Sequence, residues 1–118
     1  MASKQLLEVL SIAHDASFRG EGLSIRDALK RSRYDERRES IKIDEVISAL
    51  KDNPELVLQW IMFSEDKRTN GGWYILSDKR EIGKIGDDSA TFIFDGIEEA
   101  VAYYVLHELD FWASLNTS

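Results

Sequence analysis

The residues best suited to chemistry in this chain of 118 residues lie near its end, in the run His107-Glu108-Leu109-Asp110. On a helix, His107 and Asp110 share a face at the i, i+3 spacing, which suits half of a metal site. Completing the site needs a second group of ligands, but the chain has one other histidine and no cysteine. The residue types therefore predict neither a bound metal nor thiol chemistry.

The glycines and serines fit none of the common catalytic patterns. Gly20 and Gly22 lack both a preceding strand and the third glycine of a dinucleotide-binding turn, and Gly83 and Gly86 also fail the phosphate-loop spacing. There is no Gly-x-Ser-x-Gly motif and no plausible Ser–His–Asp set. We therefore expect a protein that is not an enzyme and binds no cofactor.

Charge is distributed unevenly along the chain, whose 15 basic and 22 acidic residues give a formal net charge of −7. Residues 87–118 contain no Lys or Arg and carry all of this net charge, whereas 19–42 has more basic than acidic side chains. Acidic surfaces attract basic proteins and repel nucleic acids and anionic membranes. The distribution predicts a basic protein partner and neither nucleic-acid nor membrane binding; a solubilising acidic surface is the alternative.

Glu108 and Asp110 are predicted to lie in the last turns of a helix, where the helix dipole disfavours acidic side chains. Local rules of this kind are often broken at functional sites or compensated by a neighbour. Two explanations are open. Either an arginine from 19–42 folds back onto these acids, or the acids face a partner.

A second charged segment, Glu65-Asp66-Lys67-Arg68, lies shortly before Trp73. Its structural interpretation is a salt-bridged loop that leads the chain into a strand. Its functional interpretation is a binding loop in which Trp73 is an aromatic anchor. A tryptophan at the start of a strand is more often part of the core, so both interpretations stay open.

Hydrophobic spacing divides the chain into helical and strand-like segments. Apolar residues three and four apart, with caps at Ser3, Ser24 and Asp95 and a stop at Asn53-Pro54, predict helices. The predicted helices span 3–14, 24–33, 43–52, 54–63 and about 95–113. Alternating apolar runs predict strands at 73–76, 81–85 and 90–94, with turns at 70–71, 78–79 and 87–89. The polar segment 34–40 is predicted to be a helix tail or a loop.

These elements predict one α+β domain over residues 1–118, with a helical N-terminal half, a three-stranded antiparallel sheet and a C-terminal helix packed on the sheet. No apolar run approaches the about 20 residues that cross a bilayer. The first residues also lack the features of a signal sequence. We therefore expect a cytoplasmic protein.

The order of three helices followed by a hairpin also matches a winged-helix DNA-binding regulator that would use the basic stretch 19–42. Its recognition helix would be 43–52, which has more acidic than basic residues. Binding to phosphates depends on Lys and Arg, and the extra helix at 54–63 interrupts the expected order. This interpretation is the alternative to a protein-binding function.

Three parts of the sequence resemble immunity proteins of bacterial polymorphic toxin systems. They are the run from Trp60 to Ile75, the pattern Phe94-x-x-x-x-Glu-Ala, and Glu108-Leu109-Asp110. The resemblance covers about 60–110. It implies an acidic cytoplasmic protein that binds a toxin domain, often a basic nuclease, and blocks its active site.

The resemblance transfers no site residues, so the predicted partner-binding residues come from the charge pattern and the charged loop. We expect acids to mimic phosphate or to pair with Lys and Arg of the toxin. The predicted binding residues are Asp87, Asp88, Glu98, Glu99, Glu108, Asp110, Glu65, Asp66 and Trp73.

Overall fold

The computed structural model describes residues 4–15, 25–66 and 72–116 and has the predicted α+β architecture. The helices are α1 (Lys4–Leu10), α2 (Ile12–Asp15), α3 (Ile25–Ser32), α4 (Tyr34–Arg37), α5 (Ile43–Asp52), α6 (Pro54–Asp66) and α7 (Ile97–Asn116), with a 3-10 turn at Arg38–Ser40. The strands are β1 (Trp73–Leu76), β2 (Glu81–Lys84) and β3 (Asp87–Ile93), which form one antiparallel sheet in that order. The predicted caps Ser3 and Ser24 and the predicted turn at 70–71 lie outside the described residues.

Ser11 divides the predicted helix 3–14 into α1 and α2. Its hydroxyl donates to the Leu7 carbonyl at 2.8 Å, and its backbone N–H donates to the same oxygen at 3.0 Å. A serine that shares the carbonyl of residue i−4 with the helical ladder in this way often bends the helix. The side chain of Ser11 is thus a local feature of this break that apolar spacing does not reveal.

Arg33 separates α3 from α4. Its φ of 58° and ψ of 39° are in the left-handed region, which residues other than glycine seldom adopt. The change in direction places Tyr34 in the core, where it is 1% exposed. The segment predicted as a helix tail or a loop is therefore a short helix and a 3-10 turn, with a buried aromatic residue at its start.

α5 has the predicted bounds and buries Val46, Ala49 and Leu50. Beyond its end, the Asn53 side chain donates to the Ala49 carbonyl at 2.8 Å, and Pro54 then begins α6. Proline suits the first position of a helix because the N–H it lacks has no acceptor there. This stop and restart explain why the boundary between the two helices is predictable.

α6 continues to Asp66 instead of ending at 63, so the prediction that Glu65 and Asp66 lie in a loop is wrong. The longer helix places Ser64 beside the sheet, where its hydroxyl accepts the Ile75 N–H at 3.1 Å. This contact joins the end of α6 to β1. Lys67 and Arg68, the other half of the predicted charged loop, lie outside the described residues.

The β2–β3 turn consists of Ile85 and Gly86, so the predicted turn at 87–89 is wrong. Gly86 has a φ of 87°, and Asp87 already pairs with Lys84 as part of β3. An Asp-Asp-Ser run is typical of turns, but a left-handed position favours glycine more strongly. The predicted turn at 78–79 is confirmed.

α7 is central to the fold, because it contacts α3, α5 and α6 as well as β1 and β2. It therefore buries more than one stripe of side chains: Ala100, Val101, Ala102, Tyr104, Val105, Leu106, Glu108, Leu109 and Ala113. The helix begins after Gly96, whose carbonyl accepts the Ala100 N–H at 3.1 Å. Gly96 therefore occupies the cap position, one residue after the predicted cap Asp95, and the helix ends at Asn116 instead of about 113.

The described residues include no helix with both the length and the apolar character of a membrane span.

Candidate functional site

Asp110 is neutralised within the protein. Arg38 donates to both of its oxygens, from Nε to Oδ1 at 2.8 Å and from Nη2 to Oδ2 at 3.2 Å. The Tyr34 hydroxyl also donates to Oδ1, at 2.6 Å. The prediction that an arginine of 19–42 folds back onto the acids is therefore confirmed for Asp110. Because α7 ends only at Asn116, Asp110 also lies before the last turn, so the dipole argument hardly applies to it.

This carboxylate also affects the two groups that donate to it. Burial, followed by the hydrogen bond to Asp110, raises the pKa of the Tyr34 hydroxyl far above its ordinary value. The same carboxylate raises the pKa of Arg38, mainly through the hydrogen bond. Both donors are held in their protonated forms. The cluster of Tyr34, Arg38 and Asp110 therefore joins α4 and the 3-10 turn to α7.

Glu108 lies inside the protein, with none of its surface exposed. Its Oε1 accepts the backbone N–H of Trp73 at 2.7 Å, across 35 positions of sequence. Burial, helped by the charge of Glu108, raises the pKa of the Tyr104 hydroxyl well above its ordinary value. Glu108 therefore has to be removed from the predicted interface, because a carboxylate with no exposed surface does not reach a partner.

Trp73 is 9% exposed and packs in an aromatic stack. Its ring lies 4.2 Å from that of His107 and 6.4 Å from that of Phe92, and both pairs are close to parallel. Burial lowers the pKa of His107, which favours the neutral ring. Trp73 therefore belongs to the core, as is more common for a tryptophan at the start of a strand, and is not an anchor presented to a partner.

The remaining predicted acids lie at different places on the surface. Helix α7 starts at the end of the sheet where β3 ends. Near its start, Tyr103 stacks on Phe94, which follows β3, and further along His107 stacks on Trp73 at the other end of the sheet. Glu98, which is half-buried, and the exposed Glu99 are therefore at the end where α7 starts. Among the described residues no cation pairs with either carboxylate.

Asp87 lies at the other end of β3, opposite Lys84, whereas Ile93 is opposite Glu81, about 10 Å away along β2 at roughly 3.3 Å per residue. Its Oδ1 accepts the Ser89 hydroxyl at 2.6 Å and the Ser89 N–H at 3.1 Å, which lower the pKa of Asp87. Glu65 is exposed at the end of α6, and the side chains of Asp66 and Asp88 lie outside the described part of the chain. The structure therefore does not bring the predicted acids together into one patch.

An exposed apolar row, absent from the sequence prediction, crosses the sheet at the end where α7 begins. Leu76, Glu81 and Ile93 are cross-strand neighbours on one face of the sheet, and Leu76 and Ile93 are 39% and 71% exposed. The run Phe92-Ile93-Phe94 is a sequence signal for this exposure. Consecutive strand residues point to opposite faces, so three apolar residues in a row cannot all face one core.

The next residues inward on this face are Tyr74 and Gly83, which are also cross-strand partners. The Tyr74 ring lies directly over Gly83, where a Cβ atom would collide with it. From there the Tyr74 hydroxyl donates to Glu81 Oε2 at 3.0 Å. The glycine therefore lets the tyrosine lie flat and hold Glu81 between the two exposed apolar residues.

The basic stretch 19–42 uses several of its arginines internally. Arg38 binds Asp110, Arg37 binds Glu8 of α1 at 2.8 Å, and Arg33 pairs with Glu36 at 2.6 Å. The pairs of Arg37 and Arg38 join separate elements, which gives these side chains a structural role. Arginines held in this way are less available to phosphates than a free basic patch would be.

A cavity of about 350 Å³ lies between α1 and α3 and is lined by Glu8, Ser11, Arg31 and Ser32. The Ser32 hydroxyl donates to the carbonyl of Leu29, as that of Ser11 does to Leu7, and Glu8 accepts from Arg37. Most of its polar groups therefore have partners within the protein. Among the described residues no group of three or more His, Asp or Glu residues is placed to hold a metal ion.

No known protein family, curated protein or solved structure matches this chain. The function therefore has to be argued from the residues and their arrangement.

Proposed function

We propose that this chain is a binding protein without enzymatic activity, and that its partner is a basic protein. The more specific form of the proposal is an immunity protein that neutralises a cognate toxin domain in the cytoplasm. The resemblance over about 60–110 suggests this form, and the acidic C-terminal region agrees with it.

One observation supports the proposal most. At the end of the sheet where α7 begins, the exposed apolar Ile93 lies within a few residues of Asp95, Glu98 and Glu99. Protein interfaces commonly combine an apolar centre with a polar rim, and complementary charge speeds their association. This surface offers both features, whereas Asp110 is already bonded to Arg38 and Tyr34 and Glu108 is buried.

A DNA-binding regulator has less support. The recognition helix would be α5, whose exposed first turn carries Asp44 and Glu45. Phosphate contacts need exposed cations, and Arg37 and Arg38 are held by carboxylates of other helices. Replacing Arg31 and Arg33 by Glu tests this alternative without breaking the Asp110 cluster. The change should leave partner binding intact and abolish DNA binding if there is any.

The direct test is to co-express the tagged chain with the products of its neighbouring reading frames. We expect a stoichiometric complex, stable at moderate salt, with a basic protein that stops growth when it is produced alone. Absence of a complex with every neighbour, together with binding to DNA, would contradict the proposal.

The site on this chain is then tested with a matched pair of double variants. Glu98→Lys/Glu99→Lys and Asp44→Lys/Glu45→Lys each replace two acids in the first turn of a helix, so both carry the same dipole cost and the same change in net charge. We expect the first to slow association at low salt by about tenfold or more, and the second to have a much smaller effect. Equal effects would mean that only the net charge of the protein matters.

A further inference from the structure

The two edges of the sheet differ. Along β1, the outward N–H groups of Trp73 and Ile75 donate to Glu108 Oε1 and to the Ser64 hydroxyl. Side chains from α7 and α6 thus take the places that the carbonyls of a further strand would occupy. An edge strand whose amides are already bonded does not accept another strand.

The β3 edge is arranged differently. The Phe94 N–H donates to the Arg80 carbonyl at 3.0 Å, so Phe94 and, two residues earlier, Phe92 direct their backbone groups towards β2. Because these directions alternate along an antiparallel strand, the N–H and C=O of Ile93 point away from the sheet. The Ile93 side chain is 71% exposed and that of Phe92 is 48% exposed. No described residue accepts the Ile93 N–H.

The usable part of this edge is short. The register between β2 and β3 shifts between Gly83 and Lys84, so residues 88–90 bulge out of the ladder. Regular pairing with β2 continues from Thr91 to Ile93. A bulge twists an edge strand and ends regular pairing, which confines an incoming strand to the C-terminal half of β3.

We propose that the outer edge of β3, around Phe92 and Ile93, binds an extended segment of a basic protein partner as a fourth strand. The charge of that partner rests on the function proposed above, whereas the binding mode follows from the edge. Main-chain hydrogen bonds would supply affinity, and Ile93 and Phe92 would supply apolar contacts on the two faces of the added strand.

The charges around the edge decide between two occupants. Asp87 lies before it, and Asp95, Glu98 and Glu99 lie after it. A second copy would bring a second set of the same acids to this edge, so the two copies would face each other with like charges. Like charges brought close together in this way are destabilising. A segment with apolar residues at its centre and Lys or Arg at its ends meets the same acids favourably.

The probe for this proposal is a short capped peptide with Val-Thr-Val at its centre and lysines at both ends. Its counterpart carries glutamates in place of the lysines, and a third peptide has the lysines and N-methylated central amides. Binding is followed on the isotope-labelled full chain by amide NMR spectra, intermolecular NOEs and hydrogen exchange at Ile93. At ten times its Kd the lysine peptide should slow exchange at Ile93 about tenfold, because only about one-eleventh of the protein stays free.

Two substitutions at one position separate backbone pairing from side-chain contact. Ile93→Pro removes the outward N–H and leaves the β2–β3 ladder intact, because proline is tolerated where the N–H of an edge strand faces solvent. Ile93→Ala keeps the N–H and loses the side chain. We expect the proline variant to bind the lysine peptide about tenfold more weakly than the alanine variant does. Leu58→Ala, at another exposed apolar residue, is the control and should bind normally.

Protection of Ile93 by the lysine peptide, with weaker binding of the other two peptides, supports the proposal. Lysine-peptide binding that maps to the start of α7 and leaves Ile93 exchange unchanged overturns strand addition but leaves the proposed function standing. Equal binding of the lysine and glutamate peptides at β3 overturns the basic occupant, and the charge argument of the proposed function fails with it. A dimer of the free chain with protected Ile93 amides, or no protection by any peptide, also overturns the proposal.

Discussion

The hydrogen bond between Tyr34 and Asp110 leads to a prediction about a pair of substitutions. The effect of Tyr34→Phe on the free energy of unfolding should reverse its sign when Asp110 is also replaced by alanine. Tyr34 is 1% exposed and donates to a carboxylate at 2.6 Å, so Tyr34→Phe loses a charge-assisted bond. We expect this variant to lower the free energy of unfolding by about 1–2 kcal/mol, because such bonds contribute about 1.5–3 kcal/mol and Asp110 is partly exposed.

Asp110→Ala should cost more, since it removes the acceptor and leaves the tyrosine hydroxyl buried without a partner. That orphaned hydroxyl costs about 1–3 kcal/mol. The lost ion pair adds about 0.2–1 kcal/mol, because the Arg38 and Asp110 side chains are 38% and 44% exposed. The expected total of about 2–3 kcal/mol corresponds to a fall in Tm of about 10 °C for a chain of this size.

In the Asp110→Ala background the effect of Tyr34→Phe should reverse. The phenylalanine now removes an orphaned hydroxyl, so the second substitution should be neutral or stabilising, with a coupling energy of about 2 kcal/mol. Urea unfolding followed by the fluorescence of the chain's three tryptophans measures all four proteins. Tyr103→Phe, which changes a partly exposed hydroxyl on the same helix, is the control and should lie within about 0.5 kcal/mol of the parent. The same cost for Tyr34→Phe in both backgrounds would refute the reasoning.

Three further outcomes follow from other parts of the structure. Glu108→Ala should lower the free energy of unfolding, measured in urea, by about 2–4 kcal/mol, because it leaves a cavity and removes the acceptor of the Trp73 N–H. Glu108→Gln keeps an acceptor and should lower it less. Equal losses for the two variants would count against the hydrogen bond between Glu108 and Trp73. Gly86 has a φ of 87°, so Gly86→Ala should lower the free energy of unfolding by about 1 kcal/mol, and Gly86→Asn should lower it by less. If both variants were as stable as the parent in thermal unfolding, the turn would have relaxed. Because burial lowers the pKa of His107, its neutral form contributes stability that is present above pH 6.5 and is lost as the pH falls through the lowered pKa. His107→Phe should flatten the stability profile below pH 6.5, and an unchanged profile would assign the slope to another group.

Much of the fold is predictable from local signals. The bounds of α5 follow from apolar residues at i, i+3, i+4 and i+7 and from the stop at Asn53-Pro54. The first strand and the turn at 78–79 follow from an alternating run and a polar pair. These features depend on contacts within a few residues of sequence, which is why the sequence alone can indicate them.

The site is less predictable because its contacts are distant in sequence. Nothing near Glu108 indicates that its carboxylate will accept a backbone N–H 35 positions away. Tyr34 stands in a polar run, and its burial depends on the left-handed conformation of Arg33. The predicted position of the β2–β3 turn is wrong even though the turn depends on local residues. The run Asp87-Asp88-Ser89 has the residue types of a turn, whereas the turn is formed by Ile85 and Gly86.

The closure of one sheet edge by Glu108 and Ser64 also determines how far an assembly of this chain can grow. Fibre growth by strand pairing requires each added subunit to present a fresh edge, so that a new template remains after every addition. Here the β1 amides of Trp73 and Ile75 are already bonded to side chains, so a strand added beyond β3 leaves no second growing end on this chain. The sheet of the described residues can therefore terminate a larger sheet but offers no second open edge through which to extend it.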